Sequence, residues 1–167
     1  MAVEDWPSLV EPDDLADFPG APFKSNTVKA AAGQVRRICG WHIAPVVSET
    51  LVLDHDGSSV LYLPSLKIES VEKVEDLTGS TPRELSGWRW SGVGLIEGAF
   101  PRGYRSVAVT LTHGYAECPA DLLPVLASRT QRRAMQESLG SRSVAYSAEG
   151  DRAFESTLDS YRLGPRP

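Results

Sequence analysis

The chain has 167 residues, of which 41% are hydrophobic and 23% charged, and its formal net charge is −5 at pH 7. That composition is typical of a globular protein with one domain, some extensions and a real core, and it contains no apolar run of about 18 residues that would indicate a transmembrane helix. The acidic start lacks the apolar stretch of a signal peptide, and an acidic chain is poorly suited to gripping nucleic acid.

The N-terminal segment is acidic. Residues 1–26 contain six carboxylates against Lys24 alone. We expect residues 1–24 to form an acidic N-terminal arm, with one or two helical turns within residues 11–18. Such an arm is either a solvated, partly mobile segment or a contact for a basic partner surface, and the sequence leaves both interpretations open.

The first predicted helix begins at Ser25 or Asn26, both favourable N-caps, and ends at Gly40. The residues of its apolar stripe recur at helical spacing and are Val28, Ala31, Ala32, Val35, Ile38 and Cys39. The polar residues placed outside that stripe are Lys29, Gln34, Arg36 and Arg37. We expect Trp41 to fold back onto the apolar face of the helix.

A β insertion of about six short strands is predicted for residues 46–112. Asp56-Gly57 is a strong hairpin signal, so we expect the first strand to turn there and pair with the strand that follows it. The further predicted strands are residues 66–74, a strand through Trp88 and Trp90, residues 93–96 and residues 104–112. The predicted fold is α+β, with helices forming a small bundle and an antiparallel β-sheet or small barrel inserted between the first and second main helices.

The second main helix is predicted to begin near Asp121, whose carboxylate would cap it and would leave Pro124 in the first turn. Residues 25–139 then form one predicted domain, made of a helix, the β insertion and a second helix. Residues 140–167 follow as a break at 140–142, a short strand at 143–147, a final helix within 151–163 and an extended tail.

Catalytic motifs are missing from the sequence, which contains no nucleophile elbow, zinc-protease, Walker or dinucleotide-binding pattern. His42, His55 and His113 lack metal-ligand spacing and are interpreted as hydrogen-bonded structural residues. Cys39 and Cys118 are interpreted as buried thiols of a reducing compartment. We therefore expect no enzyme activity, no catalytic residues, no cofactor and no metal.

Trp88 and Trp90 alternate along one predicted strand, so both rings would lie on one sheet face. The ordinary interpretation is core or interface packing. The functional alternative is a small β module that binds a ligand such as a glycan on the two rings. A hydrolase with an active site outside the known motifs is a further, weaker alternative.

Three segments carry a resemblance to a known family. Residues 36–45 read RRICGWHIAP, residues 63–66 read LPSL, and residues 112–121 read THGYAECPAD. In this order they resemble the head-to-tail connector (adaptor) proteins of tailed bacteriophages, particularly those of actinobacterial hosts. The resemblance covers residues 26–135 and implies a structural protein.

The resemblance implies a dodecameric ring between the portal protein and a stopper or tail-completion protein, with a channel through which DNA passes without specific binding. Its implied location is the virion head–tail interface, after assembly in the host cytoplasm and without a membrane. The predicted structural joint between helix and sheet comprises Trp41, His42, His113, Tyr115, Pro119 and Asp121.

The resemblance implies that the C-terminal helix and tail contact the portal, and their aromatic and arginine side chains are of the types enriched in interfaces. The predicted residues of this portal surface are Arg152, Phe154, Leu158, Tyr161, Arg162, Leu163 and Arg166. The competing interpretation is a helix packed on the protein's own core.

Overall fold

The computed structural model describes residues 6–139 and 148–164, and the chain divides into two compact units. The helical unit consists of the described residues up to Pro45 together with Ala116–Leu163, and the β unit spans Val46–Tyr115. The α+β class is confirmed, because the strands form antiparallel sheets and lie between the first and second long helices in the chain. The sheets are open and do not close into a barrel.

Helix α1 spans Ser25–Cys39 and ends, as predicted, at Gly40, which has the left-handed φ of 85° typical of a helix terminator. Its start at Ser25 is one of the two predicted, but the N-cap is neither Ser25 nor Asn26. Lys24 occupies the N-cap position, and its carbonyl accepts the N–H groups of Thr27 and Val28. Backbone hydrogen bonds thus close the first turn, and the Asn26 Oδ1 atom accepts a further hydrogen bond from the Thr27 N–H group at 2.9 Å.

A 3-10 turn at Ala120–Leu122 leads into helix α2, Leu123–Leu139. Pro124 lies at the second position of α2, where a missing N–H breaks no helical hydrogen bond. The predicted capping role of Asp121 is wrong, because its carboxylate accepts a hydrogen bond from the Tyr161 hydroxyl, with 2.7 Å between the oxygens. The partner lies 40 residues away and could not be recognised from local sequence.

Helix α3 spans Ala148–Asp159, and hydrogen-bonded turns continue the chain to Leu163. It therefore starts before the predicted residue 151 and ends earlier than predicted. The predicted break at 140–142, the strand at 143–147 and the last residues of the tail lie outside the described residues. No helix in the described parts of the chain is long and apolar enough to cross a bilayer.

The core of the helical unit forms where α1 packs against α2 and α3. A 3-10 turn at Pro12–Leu15 packs against α2 and adds apolar residues of the N-terminal segment. The buried residues of that segment are Leu9, Val10, Leu15 and Phe23. Its acidic side chains Glu11, Asp13, Asp14 and Asp17 remain exposed. The described part of the predicted arm is therefore anchored by apolar contacts and presents its charge to solvent.

Seven strands make up the β unit. In chain order they are β1 (Val47–His55), β2 (Val60–Tyr62), β3 (Ile68–Asp76), β4 (Arg83–Glu84), β5 (Arg89–Ser91), β6 (Leu95–Glu97) and β7 (Gly103–His113). One sheet has the order β1-β7-β3-β4 and the other β2-β6-β5, with antiparallel pairing throughout. Residues of both sheets share a buried core comprising Leu61, Leu63, Ile68, Val74, Ile96, Phe100, Val107, Val109 and Leu111.

The predicted hairpin between the first two strands is wrong. Gly57 adopts the expected positive φ of 85°, but β1 pairs with β7, whereas β2 pairs with β6 in the other sheet. The nine residues of β1 find a full-length partner in the eleven of β7, which the three residues of β2 cannot provide. In the connection between β1 and β2, the His55 ring accepts a hydrogen bond from Gly57 N–H and donates one to the Val60 carbonyl.

Candidate partner-binding surfaces

A buried arginine fixes the chain after α1. Arg36 is 5% exposed; its Nε donates to the His42 carbonyl at 2.7 Å and its Nη2 donates to the Ala44 carbonyl. Between these carbonyls, Ile43 has a φ of 69°, which β-branched residues rarely adopt. Ala44 N–H also donates to the His42 carbonyl, so the guanidinium stabilises a tight turn centred on Ile43.

The prediction that Arg36 lies among the outward polar residues of α1 is therefore wrong, because the following loop turns its carbonyls back over the helix. Burial lowers the pKa of Arg36 to about 10. The side chain remains cationic at neutral pH. Its hydrogen bonds to two carbonyls compensate part of the cost of that burial.

Trp41 and His42, two residues of the predicted joint, are each 1% exposed within the helical unit. As expected, Trp41 folds back onto the helices, and its Nε1 donates to the Tyr161 carbonyl at 2.7 Å. The His42 Nε2 lies 3.0 Å from the Pro45 carbonyl oxygen, and the two aromatic rings meet edge-on. Pro119 of the same unit is half-buried and directly precedes the 3-10 turn at Ala120–Leu122.

His113 and Tyr115 belong to the β unit. The His113 Nε2 lies 2.9 Å from Oε1 of Glu49, and both side chains are almost completely buried. Burial lowers the pKa of His113, and the Glu49 carboxylate partly opposes this shift. Tyr115 is half-buried. Among the described residues, no group of His, Cys, Asp and Glu is arranged to hold a metal ion.

Both cysteines are free thiols of the helical unit, with Cys39 buried and Cys118 half-buried. Burial raises the pKa of Cys39 to about 11. The pKa of Cys118 rises to about 12, chiefly through burial and further through the charges of Asp14 and Asp121. Because the thiolate is the reactive form, neither residue has the properties of a catalytic nucleophile.

Three residues of the predicted portal surface pack within the helical unit itself. Leu158 is completely buried. Tyr161 accepts the Trp41 indole N–H at its carbonyl and donates its hydroxyl to Asp121. Leu163 N–H donates to the Cys39 carbonyl at 2.9 Å. These contacts hold the C-terminal segment against α1 and the start of α2.

The outward residues of the same segment are Arg152, which is exposed, and Phe154, which is half-buried. Arg162 lies 2.9 Å from the Asp159 carboxylate and 3.6 Å from that of Glu155. Arg166 lies outside the described residues. The exposed part of the predicted surface therefore comprises Arg152 and the ion-paired Arg162, with Phe154 partly exposed.

The two tryptophans of the alternative ligand platform have different environments. Trp88 precedes β5, packs against the core of the β unit and donates its Nε1 to the Leu85 carbonyl at 2.9 Å. Trp90 lies in β5 and is 40% exposed. Trp90 is therefore the more exposed of the two rings, whereas Trp88 takes part in the packing that the ordinary interpretation expected.

A groove of about 1140 Å³ in the helical unit was not predicted. Its walls come from α1, α2 and the segment from Trp6 to Glu11. Six of its lining side chains are cationic, namely Lys29, Arg36, Arg37, Arg129, Arg132 and Arg133, whereas Glu11 is the single lining carboxylate in the described part of the chain. We call this surface the basic groove. In sequence its members look like the ordinary polar faces of two helices, and only the packing of α1 against α2 brings them together.

Comparison with known proteins gives a structural match. No protein-family model matches the chain, and no curated protein does either. A chain from the neck of an empty GTA (gene transfer agent) particle, resolved with C6 symmetry, superposes with a TM-score of 0.61 at 19% identity, covering 93% of this chain and 90% of that one. A chain from the neck of a native GTA particle, resolved with C12 symmetry, gives 0.57 at 21% identity, with 85% of each chain covered. The protein therefore shares its fold with chains of particle necks.

Proposed function

We propose that this protein is a structural head-to-tail adaptor of a tailed phage or phage-like particle. In this role it assembles as a ring between the portal and the stopper or tail and leaves a channel for DNA. The observation that carries the proposal is the fold shared with chains of GTA necks over most of both chains. The C6 and C12 symmetry of those necks supports a ring assembly, and we propose twelve copies for the ring of this protein.

The side chains on which enzymes most often rely are used here for packing. His42 and His113 are buried, and Cys39 and Cys118 have raised pKa values. These features support a structural role. The segments at residues 36–45 and 112–121 support the narrower assignment to adaptors of actinobacterial phages.

The proposed partners are the portal protein, a stopper or tail-completion protein and further copies of this chain. The proposed location is the head–tail interface of the particle, reached after assembly in the bacterial cytoplasm. The net charge of −5 suits a channel through which DNA must slide, because an acidic wall does not capture phosphates.

The C-terminal segment is the proposed portal contact, with Arg152 and Phe154 as its outward residues. Leu158 and Tyr161 take a different part in this proposal, because they hold the segment on the helical unit. The predicted residue Arg166 would extend the contact into the tail.

The test combines the purified protein with portal rings and images the mixture by electron microscopy. We expect an added ring of density on one end of the portal, with one copy of this protein per portal subunit. The proposal fails if micromolar protein leaves the portal undecorated and the protein is also missing from purified particles.

A further inference from the structure

We infer that the basic groove binds an acidic peptide segment of a partner protein, with several carboxylates flanking an apolar residue. This inference does not depend on ring assembly, because all the groove residues belong to the helical unit of one chain.

Charge is the first argument. The chain carries a net −5, yet six of its 17 lysine and arginine side chains line this groove, against one carboxylate among its described lining residues. Lys29 and Arg37 are exposed on its α1 wall and form no ion pair with any described residue. A cationic concavity in an acidic protein attracts carboxylates selectively, and the surrounding negative charge disfavours long polyanions.

Hydrogen-bond donors supply the second argument. Trp6 and Arg129 both line the groove, and their buried Trp6 Nε1 and Arg129 Nε atoms have no acceptor among the described residues. A buried donor without an acceptor is costly, so each would gain from a carboxylate or peptide carbonyl oxygen. Arg129 keeps its other contact, in which Nη2 lies 3.0 Å from Oε1 of Glu155.

The groove also has apolar walls. The Trp6 ring lies beneath the Arg36 guanidinium, 5.7 Å from centroid to Cζ, and Leu9 and Ala32 complete the lining beside it. Aromatic and arginine side chains together are typical of interface hot spots. They fit a peptide that inserts one apolar side chain while its acidic neighbours contact the cations.

Size and surroundings favour a peptide over nucleic acid. A volume of about 1140 Å³ is close to the roughly 300–1,000 Å³ of pockets that enclose small ligands, and it suits a short segment of chain. Duplex DNA would instead meet the exposed carboxylate of Glu11 in the groove lining and the exposed Asp13, Asp14 and Asp17 that follow it in the chain. Because affinity for DNA needs many phosphate contacts, those charges oppose it.

The experiment measures fluorescence anisotropy of a short labelled peptide, in which Asp and Glu flank one Leu, with the full-length protein. We expect saturable binding that weakens with salt, and no binding of the matched peptide in which Asn and Gln replace the acids. Lys29→Glu and Arg37→Glu should each weaken binding about tenfold. Lys24→Glu is the matched control, since Lys24 is exposed in the same unit and lies outside the groove, and it should bind like the unchanged protein.

Circular dichroism confirms that each variant is folded, and Lys29→Gln and Arg37→Gln replace any variant that is not. The inference is overturned if the acidic peptide does not bind, or if Lys24→Glu weakens it as much as the groove variants do. It is also overturned if duplex DNA displaces the peptide and binds more tightly, since the groove would then be a nucleic-acid site.

Discussion

At the scale of single residues, the most consequential side chain is Arg36. Helical periodicity placed it among the polar residues of α1, and its position relative to the stripe gave no reason to expect burial. Its environment depends on two carbonyls located six and eight residues further along the chain. A pattern within one helix cannot report on the loop that folds over it.

Replacing Arg36 by Met should lower the free energy of unfolding by about 3 kcal/mol, because two buried carbonyls lose charged donors. Arg37→Met is the matched control: Arg37 is exposed, and its replacement should change stability by less than about 0.5 kcal/mol. Urea unfolding of the two variants provides the measurement. Equal free energies for both variants would show that the turn at Ile43 does not need the guanidinium.

His113 should make the protein sensitive to acid. Its pKa in the folded protein lies below the ordinary value of 6.5, so between these two values the unfolded chain binds more protons. The contribution of neutral His113 to the free energy of unfolding is therefore expected to be fully present above pH 6.5 and to decrease as the pH falls below that value. His113→Gln should show a shallower loss of unfolding free energy over that range in urea titrations. Parallel curves for the two proteins would contradict this account.

At the scale of elements, hydrophobic periodicity predicted the position of helix α1 well, whereas the turn signal at Asp56-Gly57 predicted the wrong strand pairing. The stripe of α1 and its end at Gly40 are confirmed, because both depend on residues within the helix and its next neighbour. The hairpin prediction failed although its turn glycine is present with the expected φ, because strand pairing was decided by a partner about 60 residues away. Turn chemistry alone does not specify which strands meet.

The connection between β5 and β6 depends on Gly94. Gly94 follows a tight turn after Ser91 and has a φ of 87°, and an added Cβ would lie 2.1 Å from the Ser65 carbonyl oxygen. Gly94→Ala should therefore lower the free energy of unfolding by about 3 kcal/mol, because backbone strain and overpacking act together.

Gly87→Ala separates the two causes, because Gly87 has a similar φ of 78°, but an added Cβ would meet no atom within 4 Å. Gly87→Ala should lower the free energy of unfolding only by the strain of the positive φ, about 1 kcal/mol. Thermal or urea unfolding of both variants measures the difference. If the two substitutions cost the same, the approach of Ser65 would be unimportant for the β unit.

At the scale of the whole molecule, the pattern of helices and strands predicted the fold class, which is confirmed, whereas three short motifs carried the prediction of an assembly role. It did not predict the basic groove, because α1 and α2 are separated in sequence by the entire β unit. For the N-terminal segment, the sequence predicted the acidic charge but not the buried residues. The burial of Leu9 and Leu15 depends on helices that come later in the chain.

The inward contacts of α3 determine how the portal contact can be tested. Truncation after residue 150 would remove Leu158 and Tyr161, which pack within the helical unit, so lost binding would be confounded with lost stability. Leu158→Ala alone should already cost about 3 kcal/mol of unfolding free energy.

Arg152→Glu avoids that problem, because Arg152 is exposed on α3. We expect this variant to retain its unfolding free energy within about 0.5 kcal/mol and to bind portal rings about tenfold more weakly in co-sedimentation. Lys24→Glu, with the same charge change elsewhere in the helical unit, should bind normally. Portal binding by Arg152→Glu that equals that of Lys24→Glu would place the portal contact outside the exposed face of α3, whereas a selective loss would connect this face of the helix to ring attachment.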